Sequence, residues 1–147
     1  MAYARAKDVL VEVQLSDGTV VESLGTGTQN GPTFNPGLGN EVQKYAGSDR
    51  VVVHGTNGAG EITIPNELLG AGYVTLLDAQ KRKNRGDAAY VDLVISVTFA
   101  VDFGAGGVSR VAIPNATVSD GTITTPANDG GRVSANTVLT GEWSKLS

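Results

Sequence analysis

The run DLVISVTFAVDFG at 92–104 alternates without a break, Leu93, Ile95, Val97, Phe99, Val101 and Phe103 against Val94, Ser96, Thr98, Ala100 and Asp102. Alternation with period two places the first set on one face of a strand. A face that apolar leaves water only within a packed sheet, so the chain is committed to a β core. Composition agrees. Glycine, at 20 of 147 residues, is about twice its usual ~7% share and suits turns, while abundant Val and Thr suit pleated strands. A chain of this length fits one domain, 1–147, and buries a sizeable core without disulfides, for which it has no cysteine.

Further strands follow the same reading. In VLVEVQL (9–15), Val9, Val11, Val13 and Leu15 alternate with Leu10, Glu12 and Gln14. SDGT (16–19) then turns the chain into VVES (20–23), because Gly accepts positive φ and Asp tolerates it. The same tetrapeptide at 119–122 predicts a second turn between RVAIPNATV and TITTP. RVVVHG (50–55) and EITIP (61–65) read as short strands around TNGAG, and VSRVAI (108–113) as a strand. Pro114, unable to donate to a ladder, marks an edge or a bulge. RVSANTVLTGEW (132–143) completes a set of seven to nine strands.

Two segments break the pattern. Residues 25–48 hold six glycines and two prolines and read as a long loop. Phe34, Leu38 and Tyr45 within it need something to bury against, and a neighbouring subunit is one candidate. Residues 66–83 carry Leu69, Tyr73, Leu76, Leu77 and Gln80 at helical spacing, with Asn66 as a candidate cap and Gly86 as the stop. Gly70 and Gly72 weaken the first turn, so the helix is expected to firm up only near Ala71.

The helix ends in Lys81, Arg82, Lys83 and Arg85, four of eleven basic residues. Cations in a last turn meet the carbonyl end of the helix favourably and need no ligand. Docking on an acidic neighbour comes next, and nucleic-acid binding last, because no aromatic interleaves with the run and the net charge is −4.

No chemical signature emerges, and no enzyme activity, cofactor or metal is expected. His54 is the sole histidine, without a cysteine or a nearby Ser–Asp arrangement. Asp120, Asp129 and Glu142 lack the spacing of a calcium loop. GTGTQNG, GTNGAG and GAGG are not followed by GK[ST]. MAYARAKDVL holds no apolar signal core and no window approaches a membrane span, so a soluble chain made without Sec-type export and without a membrane partner is expected.

Several stretches taken together resemble tail tube proteins of tailed bacteriophages: AKDVLVEVQLSDGTVV (6–21), EITIPNELLGAGYVTLLDAQKRK (61–83), DLVISVTFAVDFG and RVSANTVLTGEW. The resemblance covers most of the chain through generic motifs. It implies a β-sandwich or barrel of antiparallel strands with one flanking helix. It implies hexameric rings that stack into a hollow tube in the virion tail, conducting DNA at ejection. The expected partners are the chain itself and sheath, baseplate and tail terminator proteins, with assembly in the host bacterial cytoplasm. On this reading Glu12, Gln14 and Glu22 are candidates for the lumen, where a polar or acidic wall avoids holding phosphate. Phe34, Leu38, Tyr45, Lys81, Arg82, Lys83 and Arg85 are candidates for subunit or ring contacts. A capsid decoration or head–tail joining protein, a secretion-system tube and a carbohydrate-binding sandwich using Trp143 stay open as alternatives.

Overall fold

The computed structural model describes residues 9–23, 32–44, 47, 51–67, 72–131 and 133–146, with the backbone alone at 21–23, 40–44, 51–54, 56–57 and 66–67. In chain order the strands are β1 (Val9–Leu15), β2 (Val20–Ser23), β3 (Thr33–Asn35), β4 (Leu38–Lys44), β5 (Val51–Asn57) and β6 (Gly60–Glu67). After helix α1 (Gly72–Arg85) come β7 (Ile95–Asp102), β8 (Val108–Thr124), β9 (Ser134–Gly141) and β10 (Ser144–Leu146). The chain is mainly β, as its alternation predicts.

Eight strands form one antiparallel sheet in the order β2-β1-β7-β8-β9-β6-β3, with β10 added on β8. The long β8 joins its two halves. Val108–Ala116 pairs with β7, and Thr117–Thr124 pairs with β9. The β7 register passes from Val97↔Ile113 to Ile95↔Ala116, stepping over Pro114 and Asn115. The bulge lies where the missing Pro N–H would interrupt a ladder. The sheet then folds back on itself: Phe34 of β3, at one end of the order, stands 6.0 Å from Phe99 of β7, ring centre to ring centre.

Inside the fold lies one core. Val11, Val13 and Leu15 of β1 meet Ile95 and Val97 of β7, Ile113 of β8, Leu139 of β9, and Ile62 and Ile64 of β6. Tyr73, Leu76 and Ala79 of α1 close it from one side. Each fully buried Ile, Leu or Val stabilises this arrangement by about 1.5–3 kcal/mol relative to exposure. The alternation of 92–104 fades along its length. Leu93, Ile95 and Val97 are buried, Phe99 and Val101 half-buried, and Phe103 exposed.

Four sequence expectations change. Asp120-Gly121 is not a turn: β8 runs straight through it, with Asp120↔Val138 and Gly121↔Thr137 in register with β9. Gly18 of the first SDGT has the positive φ of a turn, 96°. Gly121 instead lets the helix come close, because a Cβ there would run into the Leu77 side chain. The helix starts later than 66, since β6 continues to Glu67 and pairs Asn66 with Ala135, so Asn66 is a strand residue rather than a cap. Its end is as expected. Gly86 at φ 77° stops it, with Asp87 N–H on Arg82 O and Gly86 N–H on Lys83 O, both at 3.1 Å. The 25–48 run contains β3 and β4 rather than loop alone. Finally, β5 and β6 do not pair across TNGAG. β5 pairs with β4, while β6 lies between β9 and β3.

Candidate assembly surfaces

Two surfaces and one helix end carry the predicted site residues. The first surface is the outward face of β1 and β7. The register sets Glu12 opposite Thr98 and Gln14 opposite Ser96, with Leu10 opposite Ala100. Since Val11, Val13 and Leu15 point into the core, Glu12 and Gln14 share the opposite face. Gln14 is exposed and Glu12 half-buried. The face continues onto β8, where Ala112 stands opposite Thr98 and Arg110 opposite Ala100. Leu146 of β10 follows opposite Arg110. Glu22 holds a different register position, opposite Val13, across a bulge between Val13 and Gln14; its side chain lies outside the described residues.

The second surface is a two-stranded arm, β4–β5. Its ladder runs in unbroken register from Leu38↔Asn57 to Lys44↔Val51, and among the described residues neither strand joins the main sheet. The root of the arm is firmly built. Asn35 Oδ1 accepts the Gly37 N–H at 3.0 Å. The Gly58 N–H donates to Gly37 O at 2.8 Å. Gly37 has φ 67°, and a Cβ there would strike the Ala59 carbonyl. The Trp143 indole N–H donates to Pro36 O at 2.9 Å. Beside it lies a cleft of about 370 Å³ lined by Pro36, Leu38, Gly58, Ala59, Glu142 and Trp143.

This root places two of the predicted contact residues differently. Phe34 packs within its own chain, on Phe99 and edge-on against Trp143 at 5.3 Å. Leu38 is 66% exposed at the base of the arm. Tyr45 lies outside the described residues. Trp143 anchors the arm through Pro36 O. A lone Trp after Thr140-Gly141-Glu142 gives no hint that its partner is 107 residues earlier.

The basic run at the end of α1 is largely engaged within the chain. Arg82 Nε pairs with Asp78 at 3.1 Å, and its guanidinium lies over the Tyr90 ring, 5.2 Å from the centre. The Lys83 ammonium donates to Leu93 O at 2.7 Å. Arg85 donates to Asp87 at 2.8 Å, and that carboxylate raises the Arg85 guanidinium above its ordinary range. Lys81 is exposed and makes no ion pair among the described residues. Among the described residues no group of three or more His, Cys, Asp or Glu could hold a metal, and no helix is long and apolar enough to cross a membrane.

No family model matches the sequence, and no curated protein matches it. Solved structures do match in fold. The SPP1 tail tube superposes with a TM-score of 0.66 at 12% identity, over 98% of this chain and 78% of the other.

The chain has the fold of a tail tube protein.

The likeness extends to related assemblies. A chain of the sheath/tube terminator of the extracellular contractile injection system PVC matches at a TM-score of 0.64 and 11% identity, covering 100% of this chain and 99% of that one. A chain of the native gene transfer agent virion matches at 0.57 and 14%, over 99% and 100% of the two chains. All three matches cover nearly the whole of this chain. These neighbours are parts of tails and tubes.

Proposed function

We propose that this chain is the repeating subunit of a phage-type tail tube. Six copies close into a ring, and rings stack into a hollow cylinder through which DNA passes during ejection. The observation that carries this reading is the β4–β5 arm. It is hydrogen-bonded at its root, yet neither of its strands pairs with any other described strand. A two-stranded ribbon alone is marginal in water and gains stability from a third surface. A neighbouring copy supplies one, and the tail-tube fold supports that choice.

On this reading the exposed Leu38 contacts the next subunit or ring. Phe34 acts indirectly, by seating the root. Lys81, exposed and with neither an ion pair nor a hydrogen bond from its side chain among the described residues, is the member of the run best placed to meet an acidic neighbour, whether another tube subunit, a sheath or a terminator. Arg82, Lys83 and Arg85 shape the helix end that presents it. The outward face of β1 and β7, with Glu12 and Gln14, lines the bore. The assembly forms in the host cytoplasm and resides in the virion tail.

The likeness to the PVC chain supports a second reading, the tube of a contractile injection system. Negative-stain electron microscopy of the purified chain tests both: open cylinders or stacked rings are expected. A lone particle at every concentration and salt overturns them. DNA recovered inside native particles favours the phage tail, and its absence beside a protein cargo favours the injection system.

A further inference from the structure

We propose that the two ends of the β1–β7 ladder are complementary stacking surfaces, by which one copy of this chain sits head-to-tail on the next. The inference rests on the tube reading and specifies which contacts join successive rings. The ladder Val9–Leu15 with Ile95–Val101 separates its ends by roughly 20–24 Å.

At one end the β1–β2 turn meets the segment entering β7. The Ser16 N–H donates to Val94 O at 2.8 Å, and the Val94 N–H donates to Ser16 Oγ at 3.0 Å. Val20, Val91 and Val94 are 52%, 48% and 37% exposed there. At the other end the Phe103 N–H donates to Gly107 O, closing the β7–β8 tip. Phe103, Val108 and Leu146 are 37%, 44% and 39% exposed there, with Val108 opposite Asp102 and Leu146 opposite Arg110.

Charge distinguishes the ends. The turn end carries Asp17, Asp87 and Asp92 against Lys83 and Arg85, one negative charge in excess, with Asp17 accepting the Thr19 N–H. The tip end carries Arg110 and Lys145 against Asp102, which accepts the Gly104 N–H, one positive charge in excess. Two turn ends repel each other, as do two tip ends. A turn end attracts a tip end, and the apolar residues beside the charges then bury one another. Contact between unlike ends is heterologous, which extends without limit when it does not close, as a stack requires. A like-to-like contact would stop at two.

Charge reversal tests the pairing. The variants Arg110→Glu and Asp92→Lys, alone and combined, are compared with wild type by sedimentation and negative stain, with circular dichroism to verify folding. Each single variant is expected to form rings but to need about tenfold or more protein to stack them, because like charges then face each other. The double variant regains stacking. Phe103→Ser and Val94→Ser, which remove apolar contact without changing charge, also give rings without stacks. Normal stacking by the single variants, loss of rings together with stacks, or a double variant no better than the singles overturns the proposal while leaving the tube reading intact. A wild-type chain that forms neither rings nor stacks overturns the tube reading, and this inference with it.

Discussion

Gln80 and Gly121 hold the helix onto the sheet by opposite means. Gln80 is buried, and its Oε1 accepts the Val118 N–H at 3.0 Å. That amide sits where the β8–β9 register shifts between Val118 and Asp120, so the helix supplies an acceptor where the ladder is irregular. The Gln80 amide donates in turn to Asn84 Oδ1 at 2.8 Å. Replacing Gln80 by Leu keeps a similar volume and orphans a buried N–H. A loss of about 1–3 kcal/mol is expected in urea denaturation. Gly121 contributes by absence. Gly121→Val forces Leu77 aside, for an expected cost of about 1–3 kcal/mol. The further change Leu77→Ala returns part of it, since the two groups compete for one space. Additive losses in this double-mutant cycle would show that the helix can shift to make room.

At the scale of elements, the role proposed for the arm predicts that folding and assembly can be separated. Gly37 and Gly58 are bonded to each other at its root, so the backbone enters and leaves at one place. Joining them through a short Gly-Ser link in place of Leu38–Asn57 therefore leaves the body's ladders intact. The expected product is a folded protein with a cooperative melt that sediments as small species and forms no tubes. Tubes of normal length would show that the arm is dispensable. The arm also marks where the sequence stops being legible. β1, β7 and α1 have one buried face each, and burial writes a period into their residues. β4, LGNEVQK, pairs with β5 alone among the described strands. It bears no alternation, and its Gly39, with Pro36 and Gly37 just before it, looks like loop. The 119–122 turn failed for a related reason. Asp-Gly in a hairpin and Gly under a helix are the same letters, and only the approach of Leu77, distant in sequence, tells them apart. Of the candidate site, the alternation in β1 exposed Glu12 and Gln14 to view. The arm's anchor, Trp143, could not be found, because tertiary contact alone defines it.

For the whole molecule, the proposed bore and the proposed stacking contacts meet on the outward face of β1, β7 and β8. In register it holds Glu12, Gln14, Ser96, Thr98 and Ala112, then Leu10, Ala100 and Arg110 toward the tip. A wall that passes DNA must present few cations, since each phosphate contact adds to binding that only salt reverses. Among the described residues Arg110 is the cation of this face, and a stacked neighbour's carboxylate would neutralise it. Stacking and a non-adhesive wall then become the same arrangement of charge. Adding lysine at Glu12 and Gln14 tests this directly. Both positions lie outside the core, so Glu12→Lys with Gln14→Lys is expected to fold and to build tubes of ordinary diameter. Six copies around a ring would line each turn of the bore with new cations. Short labelled DNA should then bind the tubes at low salt and release steeply between about 50 and 200 mM salt, whereas wild-type tubes bind little at either. In particles, release of DNA should slow while assembly is unchanged. If the lysine tubes bind no more DNA than wild type, this face does not line the bore, and the polar end of the β1–β7 ladder must instead be covered by a neighbouring subunit.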